Sequence, residues 1–386
     1  MKYEFTRQVE PQKRPKSFLS TLLKPGLRFP LWLLVLVFFS PGCLDPIELE
    51  APKDILSAVV IQGRLTKGSP SVVRAEVSAL FNFSGSSRRL IDVREVHLLD
   101  ESGQSLEIPS VDLGVYELEI PEGHPSFRIE TGSAYRLRVA TRDRRVYEST
   151  PEPVLATPAA GNLSATIIDK EISNREGELA KVRFIQFSID TRLTNAEGGP
   201  KARLKWDAIR TFRVTDLAIE DPDPKTCYIT QFADINTLYL LDGGLIAGEE
   251  ATGVTVHEEP VSNLFAEGYY LSVLQQSLSE GAFDYWRQAN ELIERTGSIF
   301  EPPAGKLRSN FTNINDPEEE AFGFFYATAP DTVRLFVSPE LAGNPATRCP
   351  PTGPLFNQSG DCAYPICCDC LSAPNSTVSR PDFWIE

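Results

Sequence analysis

The chain has 386 residues, with 38 lysine and arginine side chains against 53 aspartate and glutamate, a formal net charge of −15. That length allows two domains and a sizeable core. The acidic balance excludes nucleic acid as a partner, because little here neutralises phosphates.

Leu31 to Phe39 is an unbroken apolar run, preceded by Lys13, Arg14, Lys16, Lys24 and Arg28 and followed by Ser40-Pro41-Gly42-Cys43. A run this short reaches less than half of a bilayer's hydrocarbon core, so it predicts an export signal rather than a permanent span. Small residues before a cysteine suit lipoprotein signal peptidase. Residues 1–42 are therefore expected to be a signal peptide, with Cys43 the lipid attachment site and acyl chains the link to a membrane. Ser40, where Leu is usual, and Pro41 depart from that pattern; the alternative is an ordinary secretory signal with Cys43 incidental. Without the leader, 31 basic face 51 acidic side chains, a charge that keeps a tethered domain soluble. Residues 43–57, rich in Pro and acidic groups, read as the lipid anchor and tether.

From Ala58 the sequence falls into short alternating segments. Strands are predicted at 58–66, 71–79, 93–100, 105–108, 115–120, 135–141 and 145–150. In the sixth, Tyr135, Leu137 and Val139 point one way and Arg136 and Arg138 the other, the pattern of a half-buried strand. Residues 100–104 and 141–144 supply hairpin connections. About seven short strands over about a hundred residues describe an immunoglobulin-like β-sandwich, assigned to 58–152. The proline-rich run 149–161 reads as a boundary, and 160–386 as a second β-rich domain. Its clearest strands are 182–192, 203–216, 269–278, 322–329 and 332–338, with a turn between Thr194 and Ala202; residues 217–260 read as an irregular surface excursion. Over 279–296, Ala282, Tyr285, Trp286, Ala289, Leu292 and Ile293 recur at three-and-four spacing, predicting an amphipathic helix. Ser277 with Glu280 suits a capping box and Gly297 a left-handed C-cap; Tyr285 and Trp286 are expected to seal the helix against the second sheet. A cysteine-rich tail, 349–386, ends the chain. The expected fold class is mainly β: an immunoglobulin-like sandwich, then a second β-rich domain with one helix and that tail.

Besides Cys43 there are six cysteines: Cys227, Cys349, Cys362, Cys367, Cys368 and Cys370. An even number in an exported chain favours disulfides. Neighbouring cysteines bridge only with strained geometry. Cys367, Cys368 and Cys370 are therefore expected to take one each of Cys227, Cys349 and Cys362, which leaves six pairings open. A zinc site is the competing reading, but zinc ribbons use separated C-x2-C knuckles, absent here.

Signs of catalysis are thin. His97, His124 and His257 share no spacing, and no H-E-x-x-H, G-x-S-x-G or phosphate-cradling glycine loop occurs. The acidic groups Asp221 and Asp223, and Asp316, Glu318, Glu319 and Glu320, lack the spacing of a calcium loop and read as solvated. No metal or cofactor is expected. Aromatic residues crowd the stretch 269–326, where they form either the core beneath a helix or a stacking face for a ligand. On the second reading, Tyr269, Tyr270, Phe300, Asn310, Phe311 and Asn313 are the candidate partner or ligand surface.

The C-terminal half carries a resemblance. The motif residues are Tyr285-Trp286, the turn Gly297…Phe300…Pro302-Pro303, Gly305, Asn310, Gly323-Phe324 and the closing Cys367-Cys368-Asp369-Cys370…Pro381-Asp382-Phe383-Trp384. Earlier, Val59-Val60…Gly63, Gly114-Val115-Tyr116, Tyr135-Arg136-Leu137 and Val146-Tyr147-Glu148-Ser149 also fit. The sequence resembles the DUF4249 family of Bacteroidota lipoproteins. That resemblance implies an outer-membrane, surface-facing lipoprotein, often encoded beside TonB-dependent receptors, and carries over no catalytic residues. The expected function is a non-enzymatic accessory that presents a ligand to a TonB-dependent transporter. The alternatives are a surface glycan or peptide hydrolase and a structural adhesin or envelope assembly subunit.

Overall fold

Period-two alternation of buried and exposed side chains marks strands such as Val59–Thr66, Ser71–Ala79 and Ala134–Ala140. The computed structural model describes residues 58–79, 89–173, 177–217, 223–233, 237–293, 307–350 and 362–385. The leader, Cys43, the tether, Asp221, Gly297 and Phe300 lie outside the described residues. The first strands are β1 (Val59–Thr66), β2 (Ser71–Ala79), β3 (Glu95–Leu99), β4 (Ser105–Glu107), β5 (Ser110–Asp112), β6 (Val115–Ile120), β7 (Ala134–Ala140), β8 (Val146–Ser149), β9 (Glu152–Pro153) and β10 (Leu155–Ala156). Next come β11 (Ala160–Ser173), β12 (Leu179–Arg192), β13 (Arg203–Thr215), β14 (Thr226–Phe232), β15 (Tyr239–Asp242), β16 (Glu250–Pro260) and β17 (Tyr269–Leu278). Helix α1 (Glu280–Ile293) precedes β18 (Phe311–Asn313), β19 (Phe322–Ala329) and β20 (Asp331–Val337). The short helix α2 (Pro365–Cys368) and β21 (Ser376–Thr377) complete the set. Among the described residues no helix is long and apolar enough to cross a membrane.

Two sandwiches result. In the first, the sheet β10-β19-β1-β2-β6-β5 faces the sheet β18-β8-β7-β3-β4, with β9 on β7. Ile61, Val73 and Val77 on one sheet meet Val96, Leu98, Leu137 and Val139 on the other in a single core. In the second, the three strands β11-β12-β16 cover β20-β17-β13-β14-β21, with β15 paired to β13. Ile185, Phe187 and Ile189 of β12 pack there against Trp206, Phe212, Leu271 and Val273. Facing sheets with inward apolar positions are the ordinary way β-sheets bury one face.

The seven strands expected over 58–152 all form, but they do not close a sandwich by themselves. Strand β19 runs parallel to β1, from Val60 opposite Phe322 to Thr66 opposite Thr328, and β18 pairs with β8. Phe311, Ala321, Phe325 and Ala327 thereby complete the first core. The boundary expected between 152 and 160 is thus corrected: the chain leaves the first sandwich there and returns to it after α1. The expected irregular excursion, 217–260, is also corrected. Its described residues hold β14, β15 and β16; β14 and β16 both line the second core, where Ile229 and Val256 are buried. Of the described acidic residues here, Asp223, Glu249 and Glu250 are exposed, whereas Glu259 of β16 is buried.

Helix α1 is described up to Ile293, the expected end lying outside the described residues, and its N-cap is Ser279, not Ser277. The Ser279 hydroxyl accepts from the Ala282 backbone N–H at 3.1 Å, satisfying one of the orphan donors of the first turn. Tyr285 and Ala282 are buried, and the helix packs on β13, β15 and β17 of the second sandwich and on β19 of the first. It therefore seals both sandwiches where one was expected.

Candidate functional site

Most of the expected ligand surface is core. Tyr269 and Tyr270 are 0% and 4% exposed, Phe311 6%, Asn310 8% and Asn313 1%. Tyr269 stacks on Phe265 with ring centroids 4.4 Å apart, and Tyr270 lies 5.0 Å from Trp384. Asn310 is a backbone clamp: its Nδ2 donates to the Phe325 carbonyl at 2.8 Å and its Oδ1 accepts from the Phe325 N–H at 2.9 Å. Asn313 donates to Glu319, which also accepts from the Tyr147 hydroxyl and pairs with Arg145. Burial raises the Glu319 carboxyl, but Arg145, Tyr147 and Asn313 together hold it below the usual range. Alternating positions of β17 and β18 face cores, so an aromatic-rich sequence reads as a stacking face when it is a packed interior.

The six cysteines all pair: Cys227 with Cys370, Cys349 with Cys367 and Cys362 with Cys368. This is one of the six expected pairings, and it removes the thiolates a zinc ion would need. Cα separations of 5.9, 5.2 and 6.4 Å lie in the ordinary disulfide range. Cys227–Cys370 ties the tail to β14 of the second sandwich, and the other two bridges close loops within the tail. There β21 adds to β14, Asn375 accepts from the Thr230 N–H, and Trp384 packs edge-on against Tyr228. The tail thus covers what would otherwise be an exposed sheet edge.

Between that tail and the sheet lies a cleft of about 510 Å3, within the usual size of small-molecule sites. Phe212, Ile229 and Leu264 form an apolar floor, with Pro365, Ile366 and Pro374 of the tail opposite. Arg210, Gln231, Asn263, Arg348 and Ser372 supply polar groups. In β13, Arg210 stands opposite Gln231 of β14, and its Nη2 donates to the Gln231 Oε1 at 3.3 Å. Its Nη1 donates to both oxygens of Glu259, at 3.2 and 3.0 Å, while its Nε has no partner among the described residues. Arg348, next to the bridged Cys349, places its guanidinium 5.9 Å from the centre of the Phe212 ring. Neither arginine was a sequence candidate. They are 138 positions apart in no motif, and the disulfides bring them together.

Behind the cleft, Glu259 accepts from the Tyr269 hydroxyl at 3.4 Å and lies 3.2 Å from the His257 Nε2. Burial, then the Glu259 charge, raises the Tyr269 phenol well above its usual range. His257 is 1% exposed and stacks on Phe187, so it is a core group rather than a base facing substrate. His124 caps a turn by accepting from the Phe127 N–H through Nδ1, and His97 lies beside Glu95 on β3. Among the described residues no group of three His, Cys, Asp or Glu side chains is placed to hold a metal.

Two further buried polar clusters join the sandwiches. Asp207 of β13 pairs with Lys205 and with Arg64 of β1, and accepts from Gln276. Glu152 of β9 accepts from the Ser279 hydroxyl at 2.6 Å. Burial pushes the Glu152 carboxyl up to about 7.

No curated protein matches the chain. The family model described as "Domain of unknown function (DUF4249)" matches residues 44–334, which span the first sandwich, most of the second and helix α1, and stop short of the cysteine tail. The chain belongs to the DUF4249 family.

Proposed function

We propose that the chain is a non-enzymatic, lipid-anchored lipoprotein of a bacterial outer membrane that presents a ligand to a TonB-dependent transporter. The observation that carries this reading is the set of three disulfides, which belong to an oxidising, extracytoplasmic compartment. The export signal ending on Cys43 supplies the anchor on this reading. The arginine-bearing cleft offers guanidinium, amide and hydroxyl groups over an apolar floor, a lining suited to holding a ligand. Tethering raises the effective concentration of such a binder beside a receptor without any added affinity.

The test is purification of the membrane complex through a tag on this chain. A co-purifying outer-membrane β-barrel receptor is the expected result; repeated recovery of the chain with no barrel would overturn the proposal. In parallel, mass spectrometry of the processed terminus should find an acylated Cys43, and Cys43→Ala should release the protein from the membrane fraction.

A further inference from the structure

We infer that the cleft between β13–β14 and the disulfide-bonded tail binds a carboxylate carried on an apolar body, such as an aryl or aliphatic acid. The inference rests on the reading of this chain as a ligand-presenting protein and names the chemical class of the ligand. Three observations lead to it.

The first is charge. The chain carries 53 acidic side chains against 38 basic ones, yet among the described residues the cleft is lined by two arginines and by no carboxylate. Diffuse surface charge is screened beyond about 8 Å in physiological salt, whereas a guanidinium in contact with a ligand is not. The local sign therefore governs what enters.

The second is the division of labour between the arginines. Glu259 neutralises Arg210 from behind, and Gln231 holds its other terminal nitrogen. Arg348 has no carboxylate partner among the described residues and lies against Phe212. An aromatic ring supports a guanidinium while leaving its N–H edge open, and that edge matches the two oxygens of a carboxylate. Arg348 is thus the group that takes the charge, and Arg210 the wall that orients it.

The third is the floor. Phe212, Ile229, Leu264 and Ile366 give the cleft a large apolar share that a bare inorganic anion leaves unused. A ligand that fills it combines a charged end with a hydrophobic one.

The experiment uses the detergent-solubilised, disulfide-intact full-length protein, with phenylacetate as probe in calorimetry and saturation-transfer NMR. Phenylacetate is expected to bind, with its neutral amide and acetate each weaker by about tenfold or more. Arg348→Gln should weaken phenylacetate by about tenfold or more, and Arg348→Lys by less. Because Arg348 is adjacent to a bridged cysteine, a second site guards against misfolding. Asn263 is exposed at the rim, so Asn263→Asp should weaken the probe and Asn263→Lys should not. The inference fails if phenylacetate does not bind, if the amide binds equally, if inorganic phosphate binds more tightly than phenylacetate, or if Arg348→Gln leaves the affinity unchanged. Phenylacetate failure with a barrel recovered sinks this inference alone; binding with no barrel recovered sinks only the transporter reading.

Discussion

Gly323 lies so close to Ile61 that a Cβ on the glycine would stand 1.9 Å from the Ile61 carbonyl oxygen, and its φ of +96° is one that side chains disfavour. This contact lies on the parallel ladder through which β19 enters the first sandwich. Gly323→Ala is therefore expected to cost about 4 kcal/mol or to prevent folding. Chemical denaturation gives the answer: a midpoint equal to the parent's would mean that β19 does not run beside β1.

Glu152 predicts an unusual pH dependence. Its carboxyl is held at about 7 in the folded chain by burial, against about 4.3 when unfolded. Below about pH 4 both states are protonated and the residue is neutral in its effect. As the pH rises from there to 7 the unfolded state loses its proton first, so stability falls, by roughly 4 kcal/mol once the pH exceeds 7. Glu152→Gln keeps an acceptor for Ser279 and removes that ionisation. The variant should match the parent near pH 4 and melt higher at pH 8; equal melting temperatures at pH 8 would contradict the buried carboxyl.

The Asn310 clamp separates a structural role from a contact role. Asn310→Ala leaves both the N–H and the carbonyl of Phe325 without their side-chain partner, at a cost of about 3 kcal/mol. Thermal melting should show that loss while phenylacetate affinity per folded molecule is unchanged. An unaltered melting temperature would return Asn310 to the surface.

The disulfides should rank by the loop each closes. Sequence separations are 143 for Cys227–Cys370, 18 for Cys349–Cys367 and 6 for Cys362–Cys368. Loop-closure entropy assigns them about 5, 3 and 2 kcal/mol respectively. Double serine variants should lose stability in that order. Non-reducing peptide mapping checks the pairing itself, and a Cys367–Cys370 peptide would refute it.

Tyr135, Leu137 and Val139 alternate with Arg136 and Arg138, and the strand they form is the one observed, because period-two patterning is a local property of the pleat. The restriction to six cysteine pairings likewise needed only covalent geometry. Strands β14 and β16 were hidden because their buried positions carry polar and charged groups as well as apolar ones, His257 and Glu259 among them, and this blurs the alternation. The role of Asn310 was hidden because a buried amide clamp and an exposed polar contact use the same residue type.

The sequence by itself therefore determined the strands whose alternation is clean, where the helix falls and that Cys367, Cys368 and Cys370 each take a partner outside their own cluster. Those outcomes depend on patterns within a few residues. Tertiary structure alone decided that β19 returns to lie beside β1, that Cys370 takes Cys227, and that Arg210 meets Arg348 across a cleft. Each of these joins residues more than a hundred positions apart. Which faces match, and which loops close to match them, is a property of the whole packed chain that no local window contains.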